Sequence, residues 1–199
     1  MEVFVSHGWI TPAVNQGEER PAAAADLDTF ILVPFTYAAD EPVDEVLEAA
    51  SMTANISWVL TGRPPAAVVQ RAPSNVVFTG FVSDSEFKAL QVEARAILAL
   101  TKQASTMQSA GYEAVASATP LITVSEAVIQ EYFGENAIYT DLTPGDLATS
   151  ALRVVEEHAV WQPRMAALRD AVMTSQPRVA EEIRQWVART AQQEGQVRR

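Results

Sequence analysis

The chain has no cysteine. That removes disulfides, thiolate catalysis and cysteine-type zinc sites. Histidine is nearly as scarce: the two present, His7 and His158, lie too far apart in sequence for a local metal motif. Basic residues are few against acids, 14 to 25, for a formal net charge of −11. A surface of that sign repels duplex nucleic acid and anionic membrane, and so argues against sequence-independent phosphate-backbone binding. It leaves room for an anionic small ligand, because a helix N-terminus supplies local positive potential. No apolar run approaches the roughly 18 to 20 residues of a membrane span, and no signal peptide opens the chain. These absences lead to the expectation of a cytoplasmic domain with no transmembrane segment, no metal and no cofactor.

Several sequence fingerprints are missing as well. No G-x-G-x-x-G follows an apolar run and no G-x-x-x-x-G-K-[ST] occurs, which leaves nicotinamide and P-loop chemistry without support. No Ser-His-Asp set is apparent, and no Asp-x-Asp pair falls where it would bridge a metal to a diphosphate.

What is there is 199 residues, 48% hydrophobic, enough for a full core. "EVFVS" (residues 2–6) reads as an edge strand and residues 8–28 as an arm or linker rich in Pro and Ala. "FILVPF" (30–35) is a continuous apolar run, the mark of a strand buried on both faces. Val43, Val46, Leu47 and Ala50 follow at helical spacing. "ISWVLTG" (56–62), "NVVFTG" (75–80), "AILAL" (96–100), "LITV" (121–124) and "AIYT" (137–140) read as five further strands. Ser83 with Glu86, and Ser105 with Gln108, match the capping-box pattern at two helix starts. Thr143 and Pro144 open another helix. Two more are expected near 160–174 and 178–193. Strands alternating with helices predict an α/β fold, a three-layer Rossmann-like parallel sheet with helices on both faces. The expected division is a strand and arm over 1–28, the Rossmann-like unit over 29–175, and a C-terminal helix and tail over 176–199.

Ligands of such sheets bind outside the carboxyl ends of the strands. That rule points to "STMQSAGYEA" (105–114), just after "AILAL". A helix starting near Ser105 would aim its unpaired N–H groups, with the Thr106 hydroxyl beside them, at a phosphate or sugar. Glu113, about 12 Å farther along at 1.5 Å per residue, suits the two vicinal hydroxyls of a ribose. The plainer alternative is a capped helix carrying a solvated glutamate.

The order of segments adds to this. "ILVPFTYAADEP", "ISWVLTGRP", "NVVFTGFVSDSEF", "AILALTKQASTMQSAGYEAVASATPLITVSEAVIQEYF" and "AIYTDL" follow one another as in the C-terminal domain of GT-B glycosyltransferases. The sequence resembles the retaining group that includes bacterial polysaccharide and mannosyl transferases, over about residues 29–175. The resemblance implies a site for a UDP- or GDP-linked sugar on this domain and metal-independent hexosyl transfer, in polysaccharide or glycoconjugate synthesis. On that pattern Glu113 matches the glutamate that holds the donor ribose. Ser105, Thr106, Met107 and Gln108 match the segment that meets sugar and phosphate, and Val82 matches a position whose backbone reads the base. Arg63 and Lys102, the basic residues of this rim, are candidates for balancing diphosphate charge. The resemblance assigns no catalytic residue in this chain.

Three departures stand out. Ser105 occupies the place of a second glutamate, and "PFTYAADEP" offers Thr36 and acids where an Arg and Lys pair often follows the first strand. A complete GT-B enzyme also has an N-terminal acceptor domain, to be supplied by further chain or a partner. Two other readings stay open: a GT-B-like binding or scaffold module without turnover, and an unrelated Rossmann-like protein.

Overall fold

A computed structural model describes residues 9–15 and 17–197, with side chains to residue 189. The strand expected over residues 2–6, and His7, lie outside the described residues. Six strands form one sheet: β1 (Phe30–Val33), β2 (Ser57–Thr61), β3 (Val76–Gly80), β4 (Ala96–Ala99), β5 (Leu121–Val124) and β6 (Ala137–Thr140). Their order across the sheet is β3-β2-β1-β4-β5-β6 and every pairing is parallel. This is the Rossmann order, which reverses direction between β1 and β4 and opens a crevice there.

The apolar runs become strands because both faces are covered. Every residue of β1, β4 and β5 is buried, whereas β3, at one edge, is half-buried throughout. Among the described residues seven α-helices connect and cover them: α1 (Val43–Ser51), α2 (Ala66–Arg71), α3 (Asp84–Glu93), α4 (Ser109–Ser117), α5 (Ala127–Phe133), α6 (Pro144–Glu156) and α7 (His158–Val197). α1 packs on α6, α3 on α4, and α7 touches both α4 and α6.

Two local devices hold this frame. Trp58, fully buried on β2, donates its indole N–H to Thr53 Oγ1 at 2.9 Å. Asn75 Nδ2 lies 2.9, 3.1 and 2.8 Å from the carbonyls of Ala50, Thr53 and Ile56, gathering acceptors along the passage from α1 into β2.

The expectations about helix ends fare differently. Ser83 and Glu86 form the reciprocal capping box, and Thr143 accepts from Asp146 N at 3.3 Å to start α6. The box at Ser105 and Gln108 does not form: α4 begins at Ser109, with Gln108 rather than Ser105 as its N-cap. Ser105 instead turns into the left-handed region at φ 55°, and Gln108 sends its amide back to Leu100 O at 3.2 Å. The two expected C-terminal helices are one, continuous through Pro177. A proline inside a helix forfeits its own N–H bond, and here that loss does not end the helix. α2 and α5, six and seven residues long, carry too few turns for a periodic signal and had no counterpart in the sequence reading. No helix among the described residues is long and apolar enough to cross a membrane.

Candidate functional site

A cleft of about 750 Å³ opens at the carboxyl ends of β1, β2 and β3, facing the start of α4. Its floor is set by a close approach of two backbones. Gly62, just past β2, has φ +84°, and a Cβ there would stand 2.0 Å from the carbonyl oxygen of Phe35. Glycine is therefore required at this position. Gly62 N also donates to Gly80 O at 3.0 Å, tying the loops after β2 and β3.

One wall is the loop after β1. Tyr37 takes φ 62°, which turns the neighbouring amides of Thr36 and Ala38 to a common point. Glu41 fills that point. Its carboxylate accepts from Thr36 N at 3.0 and 3.1 Å, from Thr36 Oγ1 at 3.1 Å and from Ala38 N at 2.9 Å, and the residue is 9% exposed. Burial leaves the Tyr37 phenol oxygen without a partner and pushes its pKa up, with the Glu41 charge adding to the shift.

The opposite wall is largely apolar: Val82, Phe87, and Phe81, which is 81% exposed. The far end is the first turn of α4. Ser109 and Ala110 line it, and their amides have no carbonyl partner within the helix. One turn on, half-buried Glu113 faces the cleft. Burial raises its carboxyl pKa, and a hydrogen bond with Gln91 works against that rise.

Of the residues named from the sequence, Glu113, Gln108, Val82 and Arg63 line this cleft. Ser105, Thr106 and Met107 do not; they belong to the loop before α4 rather than to its first turn. The Thr106 hydroxyl turns to Ala104 O at 3.3 Å, and the Met107 sulfur packs over Gly111 beside Phe133. Lys102 is drawn off by a 2.8 Å ion pair with Glu45 on α1. Its amide donates to Asp40 O at 2.7 Å, while Thr101 Oγ1 donates to Asp40 Oδ2 at 2.6 Å, so the loops after β1 and β4 are clasped. The helix dipole invoked at Ser105 thus belongs at Ser109. Sequence reasoning missed Glu41, Phe81 and Asp84 as lining residues; the acids after Pro34 were visible, but nothing in the sequence marks Tyr37 as left-handed. Among the described residues, no three His, Cys, Asp or Glu side chains converge as a metal set.

The charged lining comprises Glu41, Asp84, Glu113 and Arg63. The lining thus sets one cation, the exposed Arg63, and the first amides of α4 among three carboxylates.

No protein-family model and no curated protein sequence matches the chain. Solved structures do. Anabaena HepE in complex with UDP and glucose aligns at a TM-score of 0.67 and 13% identity, over 84% of this chain and 49% of that one. Sucrose-phosphate synthase from Thermosynechococcus elongatus aligns at 0.68 and 15%, over 92% and 52%. A glycosyltransferase from Rickettsia africae aligns at 0.65 and 14%, over 73% and 43%. The chain spans about half the length of each of these proteins. Likeness at such identities speaks for the fold, and the fold of this chain is that of a single half of a GT-B glycosyltransferase.

Proposed function

We propose that the chain is the donor-binding half of a glycosyltransferase that takes a UDP- or GDP-linked sugar. The observation that carries this reading is the cleft at the strand carboxyl ends, bounded by the first turn of α4 with Glu113 one turn on. Anabaena HepE, similar in fold, is complexed with UDP and glucose, which supports the same ligand class here. In this reading Glu113 accepts from the ribose hydroxyls, the backbone around Val82 meets the base, and the Ser109 and Ala110 amides face the diphosphate. Those amides would stabilise the charge that grows on the departing nucleotide, without a metal. The acceptor and the second wall of the active site come from an N-terminal GT-B half, in further chain or a partner. Polysaccharide or glycoconjugate synthesis in the cytoplasm is the setting this implies.

Calorimetric titration of UDP, GDP and their hexose conjugates tests the reading. At least one should bind, and Glu113→Ala should weaken it by about 1.5 to 3 kcal/mol, the worth of hydrogen bonds to a charged group. Absence of binding by all of them at millimolar concentration would overturn it.

A second reading is a binding module that kept the cleft without turnover. Ser105 in place of a carboxylate, and Thr36 and Glu41 in place of basic residues, favour it. Sugar transfer on adding an N-terminal GT-B half would decide for the enzyme; nucleotide-sugar binding without transfer would decide for the module.

A further inference from the structure

Successive backbone N–H groups brought to one point by a left-handed residue make an anion-binding concavity. The loop after β1 has this geometry, with Tyr37 at φ 62° between the amides of Thr36 and Ala38. The loop lines the cleft, yet its concavity is already filled by the chain's own Glu41, bonded to both amides and to the Thr36 hydroxyl. Glu41 is 9% exposed and its N–H returns to Ala38 O at 3.1 Å, so the arrangement is a closed ring rather than a passing contact. A ligand phosphate arriving at this wall finds the donors taken and a carboxylate in their place.

We propose that Glu41 is a specificity-determining residue: by occupying the Thr36 and Ala38 amides it withholds them from phosphate, so that the second phosphoryl group of a diphosphate gains no donors from this wall of the cleft. The proposal rests on the nucleotide-sugar reading above. It assigns the ligand's anionic contacts to the first turn of α4 and to Arg63. The remaining hold falls on the base and ribose, against Phe81, Val82 and Glu113. A nucleoside diphosphate then gains little over the monophosphate, and recognition comes from the nucleoside and sugar ends.

The test is titration of UDP, UMP, GDP and GMP into the wild-type chain and Glu41→Gln, with a melting temperature for each protein. Gln keeps one acceptor for the loop while removing the charge. For the nucleotide that binds, the wild type should hold the diphosphate and monophosphate within about threefold of one another. Glu41→Gln should widen that ratio to about tenfold, the scale of one hydrogen bond to a charged group. A wild-type preference for the diphosphate above about tenfold, or an unchanged ratio in a folded Glu41→Gln, would overturn the role of Glu41 while leaving the nucleotide reading intact. The wild-type ratio decides on its own should the variant not fold. Failure of all four nucleotides to bind either protein would overturn the nucleotide reading, and the proposal with it.

Discussion

The loops after β1 and after β4 leave the same rim of the sheet and are built in opposite ways. The first, residues 34–42, is closed: Glu41 holds two of its amides, and Gly62 lies against the Phe35 carbonyl. The second, residues 101–108, is open over its middle, where Gln103, Ala104 and Ser105 are all exposed. What fastens it sits at its two ends, at Thr101 and Lys102 against Asp40 and Glu45, and at Gln108 against Leu100. The difference teaches where ligand selectivity can be written. A wall whose donors are internally satisfied resists change and discriminates by exclusion, whereas a wall fastened at its ends leaves the first turn of α4 available to a ligand.

The largest expected effect breaks the closed loop at its tightest point. Gly62→Ala forces a Cβ into the Phe35 carbonyl and a non-glycine residue into φ +84°. A loss of about 3 to 5 kcal/mol in denaturant unfolding is expected, the combined scale of overpacking and a left-handed backbone. A loss under about 1 kcal/mol, the size of ordinary surface changes, would show slack in that wall.

Next comes Glu41→Ala, which leaves the Thr36 and Ala38 amides and the Thr36 hydroxyl without their acceptor. Stability should fall by about 1 to 3 kcal/mol. The matching change in the open loop, Gln108→Ala, removes a single 3.2 Å bond to Leu100 O and should cost about 0.5 to 1.5 kcal/mol. Thermal or denaturant unfolding of the pair measures the contrast directly, and equal losses would erase it.

Glu113→Gln sharpens the comparison through pH. The folded carboxyl has its pKa raised above the ordinary 4.5 by burial. The folded state therefore binds that proton more readily than the unfolded state, and Glu113 contributes a penalty at neutral pH that fades as pH falls through the raised value. The Gln variant should melt above the wild type at pH 7, with the gap closing as pH falls through the folded pKa to about 4.5, the ordinary value. A gap that does not change with pH would mean the gain has another source. The smallest effect belongs to Ser105→Gly. It relieves a left-handed serine at the cost of backbone entropy, for a net gain of up to about 1 kcal/mol, read as a rise in melting temperature.

These contrasts also explain what could be read before the structure. All six strands of the sheet stand within the expected apolar runs, because burial on both faces leaves a continuous signal at Phe30–Val33 and Leu121–Val124 alike. The capping box at Ser83 is real and the one at Ser105 is not, although both fit the same pattern. At Ser83 the side chain meets Glu86 N, whereas Gln108 finds a stronger claim on it from the end of β4. Tertiary contacts outweighed the local pattern, and the helix start moved to Ser109. Along the cleft, Glu113 and Arg63 were legible as polar residues at the carboxyl ends of the strands. Glu41 was not, since its role depends on the dihedral angles of Tyr37, which no residue type announces.

Asn75 carries a consequence for how the edge of the sheet opens. Its amide gathers carbonyls from Ala50, Thr53 and Ile56, all belonging to the passage from α1 into β2, while its own carbonyl receives Trp58 N at 2.9 Å. None of those acceptors is in place until α1 has ended and the chain has turned into β2. The seat of the edge strand β3 thus depends on that passage through one side chain, so opening the passage also loosens the edge.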